Sequence, residues 1–251
     1  MDIYEEVRAA YLSYKGKKCV IGYSCQGRDI YAFHVGKDYG KQFIAVCTTH
    51  AREWICAKLA LKFIKQRVAC GGWIIPLLNP DGAIISQTQK PLWKANYRGV
   101  DLNCNFDADW GAGVLNVRSR GAENCIGDYP LSEPESASLA RFTKQIQPFV
   151  TLSFHTKGGE IYWEYAGFGD KSGANVISAY TGYHSKMLTG SAGGYKDWCI
   201  KKLGIPAYTI ECGSDSLTHP VTSLKDISEC FGLLTYFFDN YDAKHGGLKR
   251  I

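Results

Sequence analysis

Three apolar runs in this chain each stop on a polar side chain. FIAVCTT runs into His50, FVTLSF into His155 and AYTI into Glu211. KQFIAVCT is apolar without alternation, the pattern of a strand in a sheet that is covered on both faces. Strands of that kind require helices packed above and below them. In open α/β sheets, ligands gather outside the carboxyl ends of the strands. His50, His155 and Glu211 can therefore meet in space although they are far apart in the chain.

The intervening sequence fits that frame. KCVIGYS and IYAFHVG read as strands joined by a QGRD turn. From Glu53, the apolar residues Trp54, Ile55, Ala57, Leu59, Leu61, Phe63 and Ile64 suit a largely buried helix. WIIPLL reads as a strand ending in NPDG, a turn signal. Residues 83–130 are rich in Gly, Asn and Asp and read as long loops, which commonly carry function. SEPESASLARFTKQI opens on a helix-entry signature at Ser132. FVTLSFH and EIYWEY follow as strands, then a helix around 174–187, the strand AYTIE and a last helix near 222–239. Strands alternating with helices, with no linker or repeat, predict one α/β domain over residues 1–251, a mixed central sheet with helices on both faces.

Composition excludes several classes of function. The formal charge is +5, but Lys and Arg are scattered, which describes a solvated surface rather than a nucleic-acid footprint. No apolar run approaches the roughly 18–20 residues of a membrane span. The opening MDIYEEVRAAYLSYKG mixes acids and bases and does not read as a signal peptide. The ten cysteines include no CxxC pair, and Cys47, Cys56 and Cys199 sit inside apolar patterns. They read as buried free thiols of a reducing compartment, which favours a cytoplasmic setting. A disulfide joining one exposed pair, such as Cys104 with Cys125, is the alternative, and a secreted setting is the second choice of location.

His50 and Glu53 form an HxxE spacing at a strand-to-helix junction, where an imidazole nitrogen and a carboxylate can face one point. With His155 they make two His and one Glu, a set suited to zinc with a coordination position left open. A structural zinc site more often closes with four ligands. The open set points to Lewis-acid hydrolysis. Alone, an HxxE is common by chance, and a strand-end His is ordinarily structural.

The order of motifs changes that weighting. HAREW, NPDG, WKANYRGVDLNCNF, SFHTKGGEIYW, SAGGYKDW and TIEC follow one another along the chain. From about Gly27–Arg28 to the last helix, the sequence closely resembles the zinc carboxypeptidase family typified by carboxypeptidase A. FHTKGGEIYW and GSAGGYKDW most resemble the bacterial branch that cleaves γ-D-glutamyl–meso-diaminopimelate bonds in cell-wall peptides. The resemblance implies the zinc carboxypeptidase fold and one Zn²⁺ per chain, bound by His50, Glu53 and His155. It implies that Glu211 is the general base, taking a proton from the attacking water and passing it to the leaving amine. Asp101 matches the residue that orients the first zinc histidine. Arg52 and Asn103 match positions that contact substrate. Lys94 sits where many relatives have an arginine that stabilises the oxyanion, and Arg98 is the alternative cation.

One departure concerns specificity. Relatives commonly read NRNF where this chain has NCNF, and a thiol at Cys104 cannot replace a bidentate arginine–carboxylate contact. The covering tyrosine of the digestive enzymes also has no counterpart, with Leu188 and Thr189 near its position. Cys104 has no obvious activating base, so a thiol protease is disfavoured. Lys157 could anchor an anionic substrate, and Glu160 a substrate ammonium, with an exposed loop carboxylate the plainer reading of the latter. Tyr162 and Trp163 suit either a substrate pocket or the core. His34, His184, His219 and His245 lack pairing spacing and read as structural or exposed. The expected substrates are short peptides, murein-derived ones first. The alternatives are an L-amino-acid metallocarboxypeptidase with an altered carboxylate anchor and a non-catalytic peptide- or wall-binding relative.

Overall fold

The computed structural model describes residues 1–241 and 247–251, so His245 lies outside the described residues. The first helix, α1 (Ile3–Ser13), precedes the hairpin of β1 (Lys18–Tyr23) and β2 (Asp29–Val35). Then come β3 (Gln42–Cys47), α2 (Ile55–Phe63), β4 (Gly71–Ile75) and α3 (Pro80–Thr88). After a long irregular stretch follow α4 (Pro134–Ile146), β5 (Val150–Gly158), β6 (Glu160–Tyr162), β7 (Glu164–Tyr165) and β8 (Phe168–Gly169). The chain continues with α5 (Lys171–Thr181), β9 (His184–Lys186), α6 (Tyr195–Trp198), β10 (Ala207–Ser214), α7 (Leu233–Asn240) and β11 (Lys249–Arg250).

Eight strands form one mixed sheet in the order β1-β2-β4-β3-β5-β10-β6-β9. Its centre is parallel: β3 pairs with β4 and β5, and β5 with β10. The hairpin β1–β2 and the short β6 add antiparallel edges. Side chains alternate across the sheet. Phe43, Ala45 and Cys47 of β3 join one core with Leu59 and Phe63 of α2 and Phe237 of α7. Ile44 and Val46 join the opposite core with Leu139 of α4 and Trp198 of α6. The doubly covered sheet is the arrangement that the unbroken apolar strands imply.

Several boundaries differ from the sequence reading. NPDG is not a turn. Asn79 accepts a hydrogen bond from the Gly82 backbone N–H at 3.1 Å and caps α3, with Pro80 in its first turn. The irregular region therefore starts after Thr88 rather than at residue 83. Ser132 is not the cap of α4; Glu133 is, and the Ser132 hydroxyl donates to the Glu133 carboxylate at 2.9 Å. The helix expected around 174–187 spans Lys171–Thr181 and ends where Gly182 takes φ +76°, a left-handed cap that glycine accommodates. Residues 184–186 then form β9. The final segment is a 3₁₀ stretch, Leu224–Cys230, kinked at Ile227 and followed by α7. All ten cysteines are free, including Cys104 and Cys125.

Asn79 has a second task. Its amide nitrogen donates to the Thr49 carbonyl at 3.2 Å and to the Ala95 carbonyl at 3.1 Å. It thereby ties the exit of β3 to the loop after α3. Asn79→Ala would leave two buried carbonyls and a helix end unpartnered, and is expected to cost about 2–4 kcal/mol of unfolding free energy. Denaturant melts of the two proteins measure it.

Candidate metal centre and active site

The exit of β3 is shaped by backbone bonds. Thr48 turns through φ 54°, uncommon for a β-branched residue, and His50 remains extended. Ala51–Glu53 then form one tight turn, in which the Glu53 N–H donates to the His50 carbonyl at 3.1 Å. That turn folds the Glu53 side chain back onto His50. His155 arrives from β5, whose Phe154 is paired with Cys47 at the end of β3.

The three side chains converge. His50 Nδ1 lies 2.8 Å from one Glu53 oxygen, and His155 Nδ1 lies 2.9 Å from the other. The two Nδ1 atoms are 3.0 Å apart. All three residues are buried. Burial alone would raise Glu53, but His50 and His155 outweigh it and hold the carboxyl well below its usual range. Two ring nitrogens and a carboxylate converge here on one point. Their chemistry fits zinc with an open position.

Asp101 supports the set from behind. Its Oδ1 faces His50 Nε2 at 3.4 Å and accepts from the Asn103 N–H at 3.0 Å. Its Oδ2 meets Lys94 Nζ at 2.8 Å and accepts from the Asn124 N–H at 3.2 Å. Burial would push Asp101 up, but Lys94 and His50 hold it well below the usual carboxylate range. One carboxylate thus both closes the turn at Asn103 and faces His50.

Glu211 stands beside His155, registered with it across the parallel β10–β5 pair. It is not one of the three converging residues. Desolvation pushes its carboxyl up to about 7, with His155 pulling it down and Glu53 adding to the rise. Two recesses open around this centre. One is lined by Glu211, Asn103, Tyr162, Ser191, Lys196 and Thr209, among others. The other is lined by His50, Lys94, Asn103, Cys104, Leu188 and Thr189, among others.

The remaining candidates divide. Lys94 is tied to Asp101 at the centre, whereas half-exposed Arg98 turns away to Glu133 at 3.8 Å. Asn103 lines both recesses while its side-chain oxygen accepts from the Tyr195 N–H at 3.1 Å. Arg52 pairs with Glu123 at 3.3 Å. Lys157 donates to the Asp215 carbonyl at 2.6 Å and to its carboxylate at 2.9 Å. Glu160 is held by Lys186 and the Tyr162 hydroxyl. Tyr162 reaches the first recess, whereas Trp163 is buried in the core. Burial pushes the Cys104 thiol far up, the opposite of an activated nucleophile.

Sequence reasoning passed over Lys196 and Asp197, a buried pair in the recess of Glu211. Their signal was two opposite charges set among Tyr195, Trp198, Cys199 and Ile200. His219 is half-buried with an unpartnered Nδ1, and Glu53, Arg52 and His50 lie near enough to act on its charge. His34, buried edge-on against Trp73, is structural, and His184 is exposed.

Fold and site together fit a metal-dependent hydrolase, with three side chains placed to hold one ion. The zinc carboxypeptidase family profile matches residues 13–176, and the chain belongs to that family of zinc metallopeptidases. It is 25% identical to γ-D-glutamyl-L-diamino acid endopeptidase 1 of Lysinibacillus sphaericus, over 93% of this chain and 69% of that protein. It is 27% identical to human carboxypeptidase O, over 84% of this chain and 68% of that one. Among solved structures, bovine thrombin-activatable fibrinolysis inhibitor superposes with a TM-score of 0.79 at 21% identity, covering 95% of this chain and 96% of that chain. Murein-tripeptide amidase MpaA of Escherichia coli O157 gives 0.64 at 22% identity, covering 92% and 95%. The chain spans about two thirds of the length of these two curated relatives. No described helix is long and apolar enough to cross a membrane.

Proposed function

We propose that this zinc metallopeptidase hydrolyses the γ-D-glutamyl–diaminopimelate amide of short murein-derived peptides, with one zinc per chain held by His50, Glu53 and His155. The observation that carries the mechanism is the placement of Glu211 in register with His155, beside the three converging residues but outside them. Bound there, zinc would supply a Lewis acid for the attacking water and the scissile carbonyl. Glu211 takes the proton from the water and hands it to the leaving nitrogen. Its desolvated setting makes it a stronger base than an exposed carboxylate. Lys94 provides the positive charge on the oxyanion side, and Asp101 fixes both Lys94 and His50.

The bond assignment rests on the similarity to the Lysinibacillus endopeptidase and on Cys104. Lys94 and Lys196 are the cations lining the two recesses, and neither has the planar fork that grips a terminal carboxylate. The ten free thiols support a reducing compartment. Digestion of γ-D-glutamyl–diaminopimelate peptides beside simple L-peptides tests the reading. Preferential cleavage of the γ-D-glutamyl bond is expected. Preference for L-peptides would favour the carboxypeptidase alternative, and zinc binding without turnover would favour the non-catalytic one.

The two cations separate in a simple pair of variants. Lys94→Met is expected to lower kcat about 10²–10³-fold, as loss of one oxyanion contact does. Arg98→Met should change it by less than about threefold, because a half-exposed pair with Glu133 contributes little. Steady-state kinetics on one γ-D-glutamyl peptide decide between them.

A further inference from the structure

In the strand AYTIEC, Cys212 directly follows Glu211. It belongs to one core with Cys47, Cys56 and Cys230, and all four thiols are fully buried. Two of them touch. Cys230 ends the 3₁₀ stretch Leu224–Cys230 and points its thiol at Cys212, with the sulfurs 3.4 Å apart. A disulfide holds its sulfurs at about 2.0 Å, so a closing of about 1.4 Å separates this contact from a bond. Cys47 and Cys56 lie near enough to act on the charge of Cys212 and are the competing partners.

The two partners are not equally free to move. β10 is bonded to β5 on one side, with Cys212 opposite Thr156, and to β6 on the other, with Glu211 opposite Glu160. The 3₁₀ stretch is kinked at Ile227 and exposes Lys225, Asp226 and Ser228. Closing the pair therefore draws the stretch towards the sheet and leaves the strand in place. The Tyr183 hydroxyl already joins the two elements. It accepts from the Gly213 N–H at 2.6 Å, donates to the Glu229 carboxylate at 2.5 Å and lies 3.5 Å from the Cys230 sulfur.

We propose that Cys212 and Cys230 are a site of disulfide formation by hydrogen peroxide, and that the bond clamps residues 213–229 to β10 without moving Glu211. One sulfur attacks the peroxide, the O–O bond breaks, and a sulfenic acid and one water result. The second sulfur then displaces the hydroxyl, which leaves with a proton as a second water. Two thiols and one peroxide thus give one disulfide and two waters, and the two electrons pass from sulfur to oxygen. Full burial selects the oxidant. A bulky disulfide reagent cannot reach either sulfur, whereas a small neutral peroxide enters when the surface stretch opens locally. Burial also keeps the Cys212 thiol protonated, so the reaction is slow and follows that opening. The cross-link restricts the unfolded chain over the loop it closes, so the oxidised protein is the more stable form.

Peroxide treatment of the zinc-loaded protein, digestion without reductant and peptide mass spectrometry test the pairing. Two peptides joined through Cys212 and Cys230 are expected, released by dithiothreitol. Peroxide should raise the melting temperature of the unaltered protein by roughly 6–12 °C over its effect on Cys230→Ala, and dithiothreitol should reverse the rise. That comparison removes the effect of oxidising the more exposed Cys19, Cys25, Cys70 and Cys104. Treated protein and treated variant should lose the same fraction of hydrolytic rate, because Glu211 stays in place. No cross-link, or one made to Cys47 or Cys56 instead, would overturn the site. A Cys212–Cys230 bond that brings no rise in melting temperature, or a rate loss above tenfold that the variant escapes, would overturn the clamp. If the variant does not fold, the mapping and the reversible melt of the unaltered protein decide alone. Neither of those readouts depends on the peptidase reading.

Discussion

Glu211→Gln is expected to keep its full complement of zinc and to lose about 10²–10⁴-fold in kcat. Gln has the size and shape of Glu but no basic oxygen, so the β10–β5 register that sets the position beside His155 is undisturbed. Glu211 is not among the converging residues, so the metal-holding set remains complete. The fold should not suffer either. Desolvation opposes the charge on Glu211, and Glu53 opposes it further. Exchanging that carboxylate for an amide gives up the attraction of His155 but also the larger cost of desolvating the charge. For the two metal-free proteins, a melting temperature of the variant equal to or above that of the unaltered chain is the expected accompaniment. Turnover on a γ-D-glutamyl peptide, metal content by elemental analysis and a thermal melt measure the three quantities. Full activity would remove Glu211 as the base. Loss of zinc with loss of activity would make it a ligand.

That the centre could be read from the chain follows from where its residues sit. His50, His155 and Glu211 each end or follow an apolar strand, and parallel strands in one sheet bring their carboxyl ends together whatever lies between. Strand identity was legible for the same reason, because FIAVC and FVTLSF have no polar face to expose. Helix boundaries were harder. NPDG carries the residues of both a turn and a capped helix start, and only the 3.1 Å bond from the Gly82 N–H to Asn79 separates them. The first helix, α1, leaves only a faint trace in the sequence, although Asp2 caps it and Ile3 and Val7 are buried on one side. Its short apolar stripe is weak beside the strong strands that follow.

Charges were the least legible. Lys94 and Arg98 are equivalent on paper, and only the folded loop sends one to Asp101 and the other to Glu133. Arg52, Lys157 and Glu160 each have a protein partner that no spacing rule reveals. Lys196 and Asp197 fall within SAGGYKDW, but their neighbours are apolar and nothing local says that they reach the recess of Glu211. Long polar side chains choose partners by tertiary distance, which a one-dimensional pattern does not carry.

Glu53→Ala is expected to abolish stoichiometric zinc binding and reduce hydrolysis to background. Glu53 is the member of the set that faces both rings, at 2.8 Å to His50 and 2.9 Å to His155. Removing it leaves two imidazoles without the anionic donor that offsets the charge of a divalent ion. Thermal stability gives a readout independent of turnover. A ligand that binds only the folded state stabilises it by about 4 kcal/mol at a thousand times its Kd. Chelation should therefore lower the melting temperature of the unaltered protein and leave that of Glu53→Ala unchanged. Added zinc should restore both stability and hydrolysis to the first and neither to the second. A folded variant is expected even so, because Ala51 and Ile55 on either side of the turn stay buried in the core. Stoichiometric zinc in Glu53→Ala, or an undiminished rate in the unaltered enzyme after exhaustive chelation, would remove the metal centre from these three side chains.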